Sequence, residues 1–166
     1  MRLSRSFNIS EFLNSNVSIR LGLKLDPPNE HIDNMSLLCR DLLQPLRDKL
    51  ARPIKINSGW RSYELNKAIG GAYKIIDGKY IPTSQHCKGQ AADLKFIDNN
   101  GKMNNKILFD TVLEMGLEFD QMINEFNYSW IHISYNKGNN RNQLLEAYKN
   151  EDNKTIYQNV INYKGL

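Results

Sequence analysis

The fold is decided by residues 84–93, which read SQHCKGQAAD. The segment predicts a turn around Gly89 that leads into a strand, because a glycine breaks the chain before a run of small and apolar residues. His86 precedes the turn, and Asp93 follows it seven residues later. The two alanines before Asp93 allow close approach by a neighbouring chain. The segment can therefore bring an imidazole and a carboxylate to one point.

A second histidine, His132, lies in residues 130–134, WIHIS, which alternate as a strand does. Alternation places His132 on the sheet face opposite to its two isoleucine neighbours. Two histidines and one aspartate match the three protein ligands of a catalytic zinc site, which leaves a fourth position to water. Imidazole favours zinc over magnesium. His86, Asp93 and His132 are therefore the candidate metal ligands, and zinc (Zn²⁺) is the candidate cofactor.

Other interpretations of these residues stay open on spacing alone. A histidine in a strand is more often a hydrogen-bonded core or surface residue than a ligand, and Asp93 can be a turn residue. Cys87 follows His86 directly, so on an extended chain it points to the other side, and we interpret it as structural. The third histidine, His31, is expected on the surface of a helix.

Patterning elsewhere predicts segregated helices and strands, and hence the α+β class. Asn8 and Glu11 form a capping box that opens a short helix. Asp26 is expected to cap a longer helix with a buried 3-4 stripe, and Pro45 to bend it. The other predicted elements are strand 53–57, helix 63–69 capped by Ser62, a hairpin within 73–82, strand 91–97, helix 103–115, a hairpin of strands 119–125 and 130–135, a helix or strand at 143–149, and a short strand at 155–161.

Length and charge narrow the class of protein. The 166 residues predict one domain, 1–166, which can fold without a metal, so a bound metal is expected to serve chemistry. We expect neither a membrane span nor an export signal. The net charge of +4 is spread along the chain, which argues against a nucleic-acid partner and is compatible with an anionic polymer. Cys39 and Cys87 are expected to be unpaired thiols.

Several motifs, in matching order, resemble the zinc D-alanyl-D-alanine carboxypeptidases and the phage L-alanyl-D-glutamate endopeptidases that cut the peptide stems of peptidoglycan. These motifs are SGWRS at 58–62, Asn66, IGGA at 69–72, SQH at 84–86, Gly89, AAD at 91–93, FDQ at 119–121, Glu125 and WIHIS at 130–134. The N-terminal FNISEF and LQPLR segments resemble the small single-domain branch found in phages. The resemblance covers about residues 7–145. It implies an antiparallel sheet that carries the zinc site under packed helices, with 146–166 as a C-terminal extension.

The resemblance also implies roles for individual residues. The three candidate ligands correspond to the zinc ligands of the family. Arg61 corresponds to an arginine that contacts substrate and stabilises the developing oxyanion, a task that suits a permanently charged guanidinium. Ser84 and Gln85 lie in the ligand loop and could orient substrate, although they also fit ordinary turn residues.

The general base is where the chain departs from many members of this family. Ser129 occupies the position, three residues before the second zinc histidine, that is often acidic. If the four residues after Glu125 form a hairpin turn, Glu125 lies opposite Trp130 and shares a sheet face with that histidine. Glu125 is therefore the expected base. Asp120 is the other candidate, but strand parity predicts that it lies on the far face.

These expectations describe a zinc metallopeptidase that hydrolyses bonds next to D-amino acids in peptidoglycan stem peptides, either endolysin-like or D,D-carboxypeptidase-like. The bond, D-Ala-D-Ala or L-Ala-D-Glu, stays open. We expect a monomer of phage or prophage origin that is made in the cytoplasm and acts at the bacterial cell wall. The alternative is an inactive wall-binding or virion structural module, which the serine at 129 favours. The hairpin within 73–82 exceeds the usual link and is expected to shape one wall of the cleft.

Overall fold

The computed structural model describes residues 1–160, which contain helices and strands in the segregated order of an α+β protein. In chain order these elements are α1 (Ile9–Phe12), α2 (Asn16–Arg20), α3 (Asn29–Leu37), a π-helical segment (Leu38–Leu43), α4 (Gln44–Leu50), β1 (Ile54–Ser58), α5 (Tyr63–Ala68), β2 (Tyr73–Ile76), β3 (Lys79–Pro82), a 3₁₀ turn (Gln85–Lys88), β4 (Ala91–Phe96), α6 (Asn105–Glu114), β5 (Gln121–Glu125), β6 (Trp130–Ser134), β7 (Gln143–Lys149) and β8 (Thr155–Asn159). The predicted class is confirmed.

The main sheet has six strands in the order β1-β4-β6-β5-β7-β8, and β2 and β3 pair as a separate hairpin. Its neighbours are antiparallel except β5 and β7, which run parallel. The sheet is therefore mixed, and the segment at 143–149 is a strand. The short strand predicted at 155–161 is β8, while residue 161 lies outside the described residues.

The two faces of the sheet serve different purposes, because successive side chains of a strand point to opposite sides. Leu94, Ile131 and Ile133 are fully buried in the main core, against which α6 packs. Asp93 and His132 alternate with them and lie on the other face. A slip of one residue in register would exchange the two sets, so core packing also positions the polar face.

The first residues of helices α1 and α3 test two predictions of helix capping. The capping box at α1 is confirmed, since Asn8 Oδ1 accepts from the Ser10 N–H at 3.1 Å and Glu11 Oε1 accepts from the Asn8 N–H at 2.7 Å. The prediction that Asp26 caps the next helix is wrong. Pro28 takes that position without a side-chain bond, because consecutive prolines keep the chain extended until Asn29.

A π-helical segment, Leu38–Leu43, lies directly before Pro45, at the place where the sequence predicts a bend. Proline lacks an N–H and crowds the carbonyl four residues earlier, so a wider turn relieves the contact. The predicted apolar stripe is buried across this segment, which supplies Leu38, Cys39, Leu42 and Leu43 to the core. Among residues 1–160, no helix has the length and apolar character needed to cross a bilayer.

Helix α3 approaches the ligand loop so closely that only glycine fits at position 89. Gly89 has a φ of 70°, and an added Cβ would lie 2.2 Å from the His31 carbonyl oxygen. The expected surface position of His31 is also corrected. Its ring is half-buried, and Nδ1 accepts a hydrogen bond from Trp60 Nε1 at 3.1 Å.

We expect Gly89→Ala to destabilise the protein more than Gly78→Ala does. Gly78 has nearly the same φ, 72°, but open space around it, so alanine there costs about 1 kcal/mol for the left-handed backbone alone. At Gly89 the clash with α3 adds about 1–3 kcal/mol. Urea unfolding of the metal-free variants measures the difference, and equal losses would contradict the close packing of α3 on this loop.

Candidate metal centre

The pairing of β4 with β6 places Asp93 directly opposite His132, and the 3₁₀ turn before β4 adds His86. Their donor atoms form a tight triangle. His132 Nδ1 lies 3.0 Å from Asp93 Oδ1, His86 Nε2 lies 3.3 Å from the same oxygen, and the two ring nitrogens are 3.2 Å apart. All three residues are buried. The structure thus brings together the three ligands predicted from sequence.

The triangle has the size that a tetrahedral zinc ion requires. Zinc binds imidazole nitrogen and carboxylate oxygen at about 2.0–2.2 Å, and tetrahedral angles then separate neighbouring ligand atoms by about 3.3–3.5 Å. The observed separations of 3.0–3.3 Å need only a small expansion. Nitrogen and carboxylate oxygen are also a donor set that zinc accepts. Residues 86, 93 and 132 therefore fit this metal.

The protonation of His86 also favours a cation at the triangle. Its Nδ1 lies 2.7 Å from the Gly59 carbonyl oxygen, which can only accept, so Nδ1 carries the proton and Nε2 presents a lone pair. Burial lowers the pKa of His86 and keeps the ring neutral. Burial acts to raise the pKa of Asp93, but charge attraction to His86 in its protonated form, which exists only at low pH, and the hydrogen bond to His132 outweigh burial and hold that pKa far below its ordinary value. The triangle thus holds an ionised carboxylate and an imidazole nitrogen with an unprotonated lone pair, and both are donors that a metal ion accepts.

Arg61 anchors the second oxygen of the aspartate. Its Nη2 donates to Asp93 Oδ2 at 2.9 Å, and its Nε and Nη2 donate to Ser58 Oγ at 3.2 and 3.0 Å. This arrangement turns Oδ1 toward the two histidines, as outer partners of metal ligands commonly do. Arg61 also lines the open cleft over the triangle, so it lies where the sequence predicts contact with a substrate.

Glu125 faces the same cleft as the triangle. The predicted register is confirmed, since Glu125 pairs with Trp130 and Ile123 pairs with His132. The carboxyl group is buried and makes no hydrogen bond within residues 1–160. Burial raises its pKa to about 7, even though His132 acts to lower it. A carboxyl group with this pKa can both accept and return a proton near neutrality.

Ser129 does not reach the cleft and cannot act as the base there. It lies in the turn after Glu125, where its side chain is exposed and its Oγ donates to the Phe126 carbonyl at 2.8 Å. Residues 126–128 all have positive φ, between 48° and 59°, and Asn124 Oδ1 accepts from the Tyr128 N–H to support them. This turn presents Glu125 rather than Ser129 to the cleft.

Asp120 lies in the cleft and not on the far face, so that expectation is wrong. The residue precedes β5, where the alternation of the strand does not yet apply. Arg141 holds its carboxylate with two bonds, Nε to Oδ1 at 2.8 Å and Nη2 to Oδ2 at 2.7 Å, and lowers its pKa. A carboxylate paired in this way is a poor proton acceptor.

The two candidate substrate-binding residues differ in their bonding. Gln85 Nε2 donates to Asp120 Oδ2, so its amide is held in place with Oε1 directed elsewhere. Ser84 is buried at the start of the 3₁₀ turn, lines the cleft and makes no side-chain hydrogen bond within the described part of the chain. Both residues can thus offer a free polar atom to a bound molecule.

The residues that flank the β2–β3 hairpin, Ala72 and Thr83, line the cleft, but residues 73–82 do not, so the expectation that the hairpin shapes one wall of the cleft is wrong. The hairpin's own side chains surround a second cavity, of about 830 Å³, which includes a stacked pair of rings, Tyr73 and Tyr80, with centroids 4.6 Å apart. The hairpin predicted from Asp77-Gly78 is confirmed, with φ positive at both turn residues.

Sequence reasoning missed two cleft residues near the C-terminus. Arg141 pairs with Asp120, and Tyr157 on β8 lines the cleft beside Glu125. Both follow residue 134, where the motifs used above end. The sequence of a short strand such as β8 does not indicate which strand it pairs with or which of its side chains face the cleft. The positions of Arg141 and Tyr157 therefore become visible only in the folded chain.

Together, a buried N,N,O triangle, a neighbouring carboxyl group of raised pKa and an open cleft define a candidate mononuclear metallohydrolase. A family model described as Peptidase M15 matches residues 5–134, and the chain belongs to this family. Membership indicates a metallopeptidase, and M15 peptidases depend on zinc. No curated protein matches the chain.

We expect the purified protein to bind one zinc ion per chain and His132→Ala to lose it, because two ligands rarely hold zinc against dialysis. His31→Ala is the matched control, since this histidine lies outside the triangle. Metal analysis after dialysis measures both. Zinc retained by His132→Ala, or lost from His31→Ala, would contradict the assignment of ligands.

Proposed function

We propose that this chain is a zinc peptidase that hydrolyses bonds next to D-amino acids in the stem peptides of peptidoglycan. The observation that carries the proposal is the triangle of His86, Asp93 and His132, with donor atoms 3.0–3.3 Å apart, beside an unbonded buried Glu125. Family membership supports the metallopeptidase class. The choice of substrate rests on the resemblance of the motifs and goes beyond that class.

In this proposal the three ligands hold zinc, which when bound polarises the scissile carbonyl and acidifies a water molecule. Glu125 accepts a proton from the attacking water as the new carbon–oxygen bond forms. The same carboxyl group then returns the proton to the amide nitrogen, so the carbon–nitrogen bond breaks with release of a neutral amine. A pKa near 7 suits both steps.

Arg61 has a second task beyond holding Asp93. Two of its nitrogens are used by Ser58 and Asp93, and the guanidinium still borders the cleft with donors to spare. In this proposal those donors stabilise the negative charge that develops on the carbonyl oxygen. We also propose that Ser84 and the Gln85 Oε1 atom, which line the same cleft, hold the peptide.

The volume of the cleft and the net charge of the protein agree with a polymeric peptide substrate. The cleft has a volume of about 880 Å³, near the upper end of the range for small-molecule sites, and it is open to solvent. The net charge of +4 favours approach to an anionic surface such as a bacterial wall. An endolysin-like role in phage lysis is one setting in which these properties serve the reaction.

A defined stem pentapeptide tests the proposal, because it contains both an L-Ala-D-Glu and a D-Ala-D-Ala bond. We expect the zinc-loaded protein to cut one of them, and mass analysis of the products shows which. Zinc-loaded protein that releases no product from this peptide or from purified peptidoglycan would contradict the proposal. It would favour an inactive wall-binding or virion module instead.

We expect Glu125→Gln to lower kcat by about 10²–10⁴-fold, because an amide cannot carry the proton. Zinc content should stay at the wild-type level, since residue 125 is no ligand. Ser129→Ala is the matched control and should keep nearly full activity, because Ser129 only bonds within its turn. Steady-state kinetics on the same peptide decide, and full activity of Glu125→Gln would rule out its role as base.

The pH dependence follows from the raised pKa of Glu125. A base works only when ionised, so activity should fall as pH drops through the pKa, which burial raises to about 7. A bound cation favours the ionised carboxylate, so it lowers the pKa of Glu125 somewhat and shifts the loss of activity to lower pH. On the acidic side of the pH profile, kcat/KM should therefore fall with an apparent pKa above 4.5, the ordinary pKa of glutamate. An apparent pKa at or below that value would contradict the account.

A further inference from the structure

One row of paired residues crosses the sheet beside the metal ligands. Trp130 on β6 pairs with Glu125 on β5, Glu125 pairs with Ala147 on β7, and Ala147 pairs with Tyr157 on β8. Directly paired residues point to the same face of a sheet, so all four face the cleft. Tyr157 therefore belongs to the same face as the proposed base, although the chain reaches it only 32 residues later.

Ala147 leaves room between Glu125 and Tyr157. It is fully buried and has the smallest side chain of the row, so a longer neighbour can extend over it. Tyr157 lines the cleft and lies close enough to interact electrostatically with Glu125 and Asp93, while the residue as a whole is 55% exposed. The phenol thus stands at the rim of the reaction site and is accessible to a ligand.

The Tyr157 hydroxyl has no hydrogen-bond partner within residues 1–160. Burial and the nearby carboxylates raise its pKa above the ordinary value of 10.0, so the group stays a donor at neutral pH. A phenol is both donor and acceptor, and a structural tyrosine with a buried edge normally uses one of these capacities within the protein. As far as residues 1–160 are concerned, this hydroxyl is available to a bound molecule instead.

The order of the strands tells which part of a substrate meets it. Asp93 and His132 lie on β4 and β6, and Glu125 lies on β5. Tyr157 lies two strands beyond Glu125 on the side away from these ligands, about 10 Å from Glu125 along the sheet. Since Glu125 must return its proton to the leaving amine, the leaving-group side of the peptide extends past Glu125 toward β8.

We propose that Tyr157 is a substrate-binding residue that donates a hydrogen bond to a carbonyl or carboxylate oxygen on the leaving-group side of the cleaved bond. The strand pair β7–β8 is then part of the peptidase site, although it follows the segment matched by the family model, residues 5–134. This inference rests on the proposed function for its substrate. It adds a residue that determines how the peptide is held.

Tyr157→Phe removes the hydroxyl and keeps the ring, and Tyr148→Phe is its matched control. Tyr148 adjoins Ala147 on β7 and therefore faces the opposite side of the sheet. We expect Tyr157→Phe to raise KM for the stem pentapeptide by about five- to tenfold with kcat within about twofold, as loss of one binding hydrogen bond does. Zinc content should not change, and Tyr148→Phe should match the wild type.

Binding of the same peptide provides a second measurement that does not require turnover. In zinc-loaded Glu125→Gln protein, adding Tyr157→Phe should weaken peptide binding by the same factor, measured by calorimetry. Equal Kd values with and without the hydroxyl, or a loss confined to kcat, would overturn the role of Tyr157. Absence of turnover by the wild type would instead contradict the proposed function, and the binding experiment would still decide the tyrosine.

Discussion

The cross-strand pair of Asp93 and His132 is the contact on which the rest of the site depends. A buried carboxylate is costly unless cations or donors surround it, and here the His132 imidazole and the Arg61 guanidinium do so. The apolar residues that alternate with this pair form the core with α6, so hydrophobic packing sets the register that brings the polar atoms together. The pairing of β4 with β6 therefore positions both the apolar core on one face of the sheet and the candidate metal centre on the other.

Helix α1 contacts the segment that orients His86. His86 Nδ1 donates to the carbonyl of Gly59, and an added Cβ at Gly59 would lie 2.5 Å from the Phe12 Cα atom. The next residue, Trp60, donates its N–H to the Phe12 carbonyl at 2.9 Å. Helix α1 therefore holds the strand end that orients the imidazole, an outer contact of the kind that keeps metal ligands in place.

Short sequence patterns predicted the turns and the strand register correctly where neighbouring residues in the chain determine them. The turn after Glu125 determined the hairpin register, and with it the common face of Glu125 and His132. Among the predictions that were wrong, one failed because of a further signal in the local sequence and one because the residue lies outside its strand. Consecutive prolines moved a helix start away from Asp26, and Asp120 lies before its strand, where Arg141 holds it. The parallel pairing of β7, and the place of Tyr157 that follows from it, depends on contacts that no short segment encodes.

X-ray absorption at the zinc edge of the loaded protein tests the central claim most directly, because it reports the atoms around the metal. The account predicts two imidazole nitrogens and light oxygen or nitrogen ligands at about 2.0–2.2 Å around zinc in the wild-type protein. A sulfur neighbour at about 2.3 Å would contradict it. That result would assign the metal to a thiolate such as Cys87 and remove the foundation of the proposed peptidase.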